Sequence, residues 1–222
     1  MVLLLRIVLK ALFRRVSICH KEQLTNAVCE NSHFICDACH SYGTYAPVIA
    51  ALRDSTEKDA LLLLEKIMDL PSVHMHGPEH HAIVPCVLLT AFRNNGEHMD
   101  YDAALSEICK RAKQVPGGTC GYWGVCGAAA GAGIFMSVMT GSSPLHKDAW
   151  PFPQKLVSII LSRLADVGGP RCCKRTSRIA IEEAVHFYSQ FCSVNIPLSS
   201  ITCKYCEDNR ECIQEDCPYY PE

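Results

Sequence analysis

The sequence predicts a mainly α-helical fold that ends in a cysteine-rich segment. Apolar residues recur at helical spacing through most of the chain, and no alternating strand pattern of useful length is present. From Pro197 onward the chain has no periodicity and is organised by its cysteines. We therefore expect a compact helical domain over residues 1–196 and a metal- or cluster-binding knuckle over residues 197–222.

The composition excludes some classes of protein. With 21 basic and 23 acidic residues the formal net charge is −2, whereas nucleic-acid-binding domains are usually strongly basic. No stretch reaches the roughly 18 uninterrupted apolar residues of a transmembrane helix. The 15 cysteines include several close pairs, between which a disulfide would close too short a loop to stabilise much. They indicate metal binding and thiol chemistry in a reducing compartment, the cytoplasm.

The N-terminal segment MVLLLRIVLKALFRRV is expected to form an amphipathic helix. Arg6 and Lys10 interrupt the apolar run that a secretory signal would need. Arg6, Lys10 and Arg14 recur every four residues, which places a basic stripe along one face of a helix. We expect this helix to pack on its own domain, and docking on a membrane surface or a partner protein is the alternative.

Further helices follow from capping residues, prolines and apolar spacing. In chain order they cover residues 47–53, 57–70, 82–92, 101–113, 121–139, 153–165 and 174–192. Thr56 and Asp100 are the expected N-caps of the second and fourth of these helices. Gly127 and Gly131 lie four residues apart, so on a helix they would let another backbone approach closely.

The tail carries the strongest metal-binding pattern, C-x2-C-x5-C-x4-C-P. Its cysteines are Cys203, Cys206, Cys212 and Cys217. The segment is too polar to fold by burial, so we expect a metal or cluster to order it. One zinc ion held by four thiolates fits the spacing, and so does a [4Fe–4S] cluster, for which the final Cys-Pro is a ferredoxin-like ending.

Two further motifs lie in the first half of the chain. Cys36 and Cys39 form a C-x-x-C that lacks the strand–helix context of a redox motif, so we expect two metal ligands whose set is completed elsewhere, with packing against the tail knuckle as one arrangement. The segment HMHGPEHH supplies His76, His80 and His81 as metal ligands or acid–base groups. A flexible loop without a chemical role is the alternative for these histidines.

Two glycine-rich segments, GGTCGYWGVCG and GGPRCCKRTS, each place thiols at the start of a helix. The thiols are Cys120, Cys126, Cys172 and Cys173, and the neighbouring cations are Arg171, Lys174 and Arg175. A helix N-terminus lowers the pKa of a thiol and also binds anions. We therefore expect these thiols to be reactive and the three cations to bind an anionic cofactor or substrate. Cys172 should be more reactive than Cys109 and Cys192, which lie among apolar neighbours.

Together, HGPEHH, GGTCGYWGVCGAAAGAG, GGPRCCKRTS and the closing C-x2-C-x5-C-x4-CP resemble an uncharacterised cysteine-rich domain family of anaerobic microbes. Such domains are sometimes attached behind a class I S-adenosylmethionine-dependent methyltransferase. The resemblance covers about residues 36–217 and implies no established activity. The chain has no strand followed by a nucleotide-binding glycine loop, so we do not expect it to be the methyltransferase itself.

The expected function is that of a metal- or iron–sulfur-binding thiol protein that handles a sulfur or soft-metal(loid) species. The reactive thiols and at least one of the three histidines should then share a pocket. The alternative is a non-catalytic, metal-stabilised binding module that serves a partner enzyme such as a methyltransferase. The sequence leaves open whether the protein is an enzyme.

Overall fold

The computed structural model describes residues 5–191 and 194–222. The chain divides into two compact units, one up to Tyr42 and one from Gly43 onward. The described residues contain nine α-helices and one two-stranded sheet, so the predicted mainly helical class is confirmed. No helix in these residues is long and apolar enough to cross a membrane. Residues 197–222 belong to the second unit together with the helices.

The first unit is built on a β-hairpin and not on the amphipathic helix that the sequence predicts. Strands β1 (Leu5–Arg15) and β2 (Glu22–Cys29) pair antiparallel, and the short helix α1 (Asp37–His40) follows. The helix prediction was wrong because residues four apart share a face of a strand as well as a face of a helix. A basic residue at every fourth position therefore fits both structures, and the partner strand decides between them.

The second unit contains the remaining helices. They are α2 (Tyr45–Asp54), α3 (Ala60–Met68), α4 (His80–Asn94), α5 (Tyr101–Ala112), α6 (Thr119–Tyr122), α7 (Gly127–Met139), α8 (Pro151–Val167), α9 (Cys173–Tyr188) and a 3-10 turn, Gln214–Asp216. Asp100 caps α5 as predicted, since its carboxylate accepts the amide of Ala103. Asp59, and not Thr56, caps α3, because the helix begins at Ala60 and the Asp59 carboxylate accepts the amides of Leu61 and Leu62. The predicted end of the last helix, Cys192, lies outside the described residues.

Helix α4 forms the centre of this unit. All its residues from His80 to Phe92 are buried, and α3, α5, α7 and α9 pack around it. The rings of Phe92, Phe135 and Tyr188 cluster with centroids 4.7 to 5.5 Å apart. Each fully buried aromatic side chain contributes roughly 1.5–3 kcal/mol to folding, so this cluster fixes α4, α7 and α9 against one another.

Helices α4 and α7 approach through glycine, as the sequence predicted. A Cβ on Gly131 would lie 2.6 Å from the carbonyl oxygen of His81 and 2.9 Å from Cδ of Pro85. Pro85 has no amide hydrogen to donate to that carbonyl within α4, and the glycine backbone of α7 lies against it. This contact places the N-terminal end of α7 directly beside His81.

Hydrogen bonds anchor the tail to the helices of the second unit. The amide of Ala60 donates to the carbonyl of Pro197 over 3.2 Å, and the amide of Ser199 donates to the carboxylate of Asp59 over 2.7 Å. The buried Tyr219 hydroxyl donates to Glu182 over 2.9 Å. These contacts fix the tail against α3 and α9, so its polarity does not prevent it from packing.

Candidate thiol and anion site

One cavity in the second unit brings together most of the residues that the sequence singled out. It has a volume of about 470 Å³ and lies where α7 and α9 begin and α8 ends. Its reactive and charged lining residues are Cys120, Cys126, Cys173, His80, His81, Arg171 and Arg175. Leu161, Leu164 and Ala165 of α8 add an apolar wall. The cavity thus brings Cys120, Cys126 and Cys173 together with two of the histidines, but Cys172, which was predicted to share a pocket with Cys120, is not part of its lining.

Helix ends position the two inner thiols. Cys126 is the N-cap of α7, and burial raises its pKa, although the hydroxyl of Thr176 and the amide of Ala128 act in the opposite direction. Cys173 is the first residue of α9, and burial raises its pKa to about 12 against the opposing effects of the Gly77 amide and Arg171. Burial thus outweighs the helix ends, and both groups are protonated thiols at neutral pH. Cys120 is exposed.

Cys172 shows the same effect outside the cavity. It caps α9 by accepting the amide of Arg175 at 3.4 Å, but it is buried, and burial raises its pKa more than Arg175 lowers it. The prediction of an unusually acidic Cys172 was therefore wrong. Cys109 also departs from the prediction, which expected burial to raise its pKa. Its sulfur lies 3.8 Å from that of Cys86, and the hydrogen bond from Cys86 lowers the pKa of Cys109 to about 7.

Two of the three predicted cations line the cavity. Arg175 is 3% exposed, and its Nη2 donates to the carbonyls of Gly168 at 3.0 Å and Pro170 at 2.7 Å. Its Nε is buried and has no hydrogen-bond partner, and no carboxylate among the described residues forms an ion pair with it. Arg171 lies at the exposed rim.

Lys174 points away from the cavity. Its ammonium donates to the carbonyl of Met68 at 3.1 Å and lies 4.7 Å from the ring centre of Tyr205. Burial lowers the pKa of Lys174 to about 8. Consecutive positions at the start of α9 face different sides of the helix, so Lys174 contacts α3 and the tail while Cys173 and Arg175 reach the cavity.

Two of the three histidines also reach the cavity. Buried His80 donates through Nε2 to the carbonyl of His74 at 3.0 Å, and burial lowers its pKa to about 3, so the ring is neutral. His81 donates through Nδ1 to the carbonyl of Val115 at 3.1 Å, and its ring packs against Gly127. His76 turns to the tail instead, where its Nε2 lies 3.1 Å from Oδ1 of Asn209.

The four tail cysteines do not form a preassembled single-ion site. The amides of Tyr205 and Gln214 donate to the sulfurs of Cys203 and Cys212, each over 3.4 Å, as is favourable for thiolate ligands. However, among the described residues no three ligand atoms of the tail lie within 4.8 Å of one another. The predicted metal knuckle is therefore not confirmed by this arrangement and stays a prediction.

The first unit contains a group that does have metal-binding geometry. The sulfurs of Cys19, Cys36 and Cys39 all lie within 4.8 Å of one another. The sequence indicates Cys36 and Cys39 but not Cys19, because Cys19 comes close only through the hairpin turn, which the helical spacing does not predict. The expectation of a protein with cysteine groups able to hold a metal is thus supported.

Comparison with known proteins identifies a family without an assigned activity. Residues 48–220 match the model of a family of unknown function, DUF5714. The match covers more than half of the chain, so the chain belongs to this family, and the expectation of an uncharacterised family is confirmed. No curated protein matches the chain. No solved structure matches it.

Proposed function

We propose that this member of the DUF5714 family binds a small molecule that combines a thiophilic atom, either sulfur or a soft metal or metalloid, with an anionic group. The site is the cavity between α7, α8 and α9. The observation that carries the proposal is the buried Arg175, which lines the same cavity as Cys120, Cys126 and Cys173.

Arg175 accounts for the anionic part. Burying a cation without an opposite charge is costly unless a ligand supplies one. A carboxylate or oxyanion can accept charge-assisted hydrogen bonds from a guanidinium. Arg175 lines the cavity and has no carboxylate partner among the described residues, so an anion bound there would supply the missing opposite charge. Arg171 at the rim adds a second positive charge.

The thiols account for the soft part. Hard cations prefer oxygen ligands, whereas soft metals and metalloids select sulfur. Because burial keeps Cys126 and Cys173 protonated, a ligand must displace their protons, which favours species that form strong bonds to sulfur. An aryl arsenoxide is a suitable probe: its As=O group reacts with two thiols to give two As–S bonds and one water, with no change of oxidation state.

A matched pair of probes tests both parts of the site. Phenylarsine oxide and its para-carboxylate differ only in the anionic group. We expect both to protect at least two of the three cavity thiols from alkylation, read by peptide mapping, and the carboxylate to bind about tenfold or more tightly, because its ion pair with Arg175 is buried. Arg175→Met should abolish this preference and keep the binding of phenylarsine oxide, while Arg175→Lys should retain part of it.

A control variant and the wild-type protein separate unspecific effects from failure of the proposal. Cys29→Ser removes a thiol of the first unit and should leave the protection pattern unchanged. If neither probe protects the cavity thiols of the folded wild-type protein, the proposal is wrong. Equal affinities for the two probes would reject the role of Arg175 in binding an anion and leave the role of the thiols unaffected.

A second function is supported by the surface beside the cavity. Tyr122 and Trp123, at the end of α6, are 50% and 66% exposed. Large aromatic side chains are common anchors in protein interfaces, so this surface suits an accessory module that serves a partner enzyme such as a methyltransferase. That function is favoured if replacement of the cavity thiols by serine leaves the protein functional in cells whereas Trp123→Ala makes it non-functional.

A further inference from the structure

The first unit carries a second site, outside both the cavity and the family-matched residues 48–220. We propose that Cys19, Cys36 and Cys39 bind one thiophilic divalent cation, with Zn²⁺ as its ordinary occupant. The three thiolates leave a fourth coordination position, which an exchangeable ligand fills. This inference is independent of the function proposed for the cavity.

Backbone hydrogen bonds bring the three sulfurs together. In the hairpin turn the amide of Val16 donates to the carbonyl of Lys21 over 2.8 Å. The chain that follows β2 returns to this turn, where the amide of Ser17 donates to the carbonyl of Phe34 over 2.8 Å and the amide of Phe34 donates to Oγ of Ser17 over 3.3 Å. Cys19 therefore lies beside the residues that enter α1.

The start of α1 supplies the other two ligands. Cys36 is the N-cap of α1, and Cys39 lies within its single turn. The amide of His40 donates to the carbonyl of Cys36 over 2.8 Å, which closes this turn. A C-x-x-C whose first cysteine caps the turn directs both sulfurs to one side, and here that side is occupied by Cys19.

The separations fit a metal ion better than a disulfide. Tetrahedral zinc with Zn–S bonds of about 2.3 Å places its sulfurs roughly 3.8 Å apart. The sulfurs of Cys19 and Cys36 are 4.0 Å apart, well beyond the roughly 2.05 Å of a disulfide bond. A disulfide would also use only two of the three thiols, whereas one cation uses all of them.

The small core of this unit supports the same inference. Among its described hydrophobic side chains only Val16, Val28 and Cys36 are buried. Units of about 40 residues usually need a metal, disulfides or association to remain folded. A cation bound by residues from the hairpin turn and from α1 would link these two parts of the unit.

The number of protein ligands leaves a fourth coordination position open on the proposed Zn²⁺ ion. Among the described residues no further Cys, His, Asp or Glu completes the group of three. Structural zinc sites normally have four protein ligands, whereas sites with three protein ligands keep a position for water or substrate. Water, a thiol or an imidazole would suit this position.

Thiol footprinting of the full-length protein is the first test. Cys19 is exposed, so iodoacetamide should modify it readily in protein stripped of metal by a chelator. With Zn²⁺ added in excess over all the proposed metal sites we expect modification of Cys19 to slow by about tenfold or more, since the bound thiolate is less available. Cys29, which lies in the same unit, should react at the same rate in both samples.

Metal content is the second test. Cys19→Ser should lose about one zinc per chain relative to the wild type, and Cys29→Ser should lose none. Unchanged zinc content in Cys19→Ser, or equal rates at Cys19 with and without zinc, would overturn the proposal. A Cys19–Cys36 disulfide in anaerobically purified protein, seen as a crosslinked peptide by mass spectrometry, would overturn it as well. The footprint uses the wild type, so the test stands even if the variant fails to fold.

Discussion

Cys120 and Cys173 line the same cavity, but only Cys120 is exposed. Burial raises the pKa of Cys173 to about 12 and also raises that of Cys172. Because the thiolate is the reactive form, limited alkylation of metal-free protein at pH 7.5 should modify Cys120 well before Cys172 and Cys173. Peptide mapping by mass spectrometry measures the three rates. Modification of Cys172 first would show that its position at the helix end dominates after all.

His80 makes the stability of the fold depend on pH. The folded protein keeps this ring neutral down to a pKa of about 3, whereas in the unfolded chain it takes up a proton near pH 6.5. The unfolded state therefore binds the extra proton between these values, so the stability is complete above pH 6.5 and decreases as the pH falls. From pH 7 to pH 5 this single group should lower the free energy of unfolding by about 2 kcal/mol.

His80→Gln isolates this contribution. The glutamine amide can still donate to the carbonyl of His74 but does not titrate. Urea unfolding at pH 7 and pH 5 should show a smaller loss of stability in this variant than in the wild type, and the exposed His98→Gln should behave like the wild type. Identical losses in all three proteins would mean that His80 is protonated in the folded state.

The sequence shows which cysteines and cations lie near helix ends, but it does not show their burial or the pKa values of the thiols. The two glycine-rich segments contain Cys120, Cys126 and Cys173, which line one cavity. Nothing in the sequence showed that Arg175 is buried and Lys174 turned away, because each depends on which face of α9 packs against α3 or α8. The pKa values of the thiols depend on that burial more than on sequence position.

At the scale of elements, the contact between α4 and α7 depends on glycine. Gly131→Ala would place a Cβ 2.6 Å from a backbone oxygen of α4, which cannot move without moving the helix. We expect it to lower the free energy of unfolding by about 2 kcal/mol or more. Gly121→Ala is the matched control, since no atom lies within 4 Å of its added Cβ. Thermal and urea unfolding compare the two, and equal stabilities would contradict this packing.

Most helices of the second unit could be predicted because their prolines, caps and apolar spacing act locally. The break between α6 and α7 could not, since it arises where Gly124 adopts φ +69° within an otherwise helical pattern. The hairpin was missed for a different reason. A strand needs a partner from elsewhere in the chain, and the four-residue spacing of Arg6, Lys10 and Arg14 suits either structure.

At the scale of the whole molecule, the compact unit from Gly43 onward nearly coincides with the family-matched residues 48–220. The cavity and the tail both lie within it, and the Cys19 group lies outside it. The molecule therefore combines a family domain, which holds the proposed thiol and anion site, with a small hairpin unit that has its own cysteine group. Neither the division at Tyr42 nor the Cys19 group followed from the sequence pattern.

The tail should hold one metal centre of its own. Anaerobically purified protein should contain zinc, or iron with inorganic sulfide and its visible absorption, and Cys206→Ser should lower that content by about one centre per chain. Cys29→Ser is the control for unspecific loss. Elemental analysis distinguishes the two metals, and metal-free protein with a protease-resistant tail would contradict the prediction.

The most direct test of the thiol and anion site is anomalous diffraction at the arsenic edge from crystals grown with the para-carboxylate of phenylarsine oxide. We expect an arsenic peak in the cavity, bonded to two of the sulfurs of Cys120, Cys126 and Cys173, with the carboxylate accepting hydrogen bonds from Arg175. Arsenic found only at the tail cysteines or at Cys19, Cys36 and Cys39, with the cavity empty, would contradict the proposed thiol and anion site.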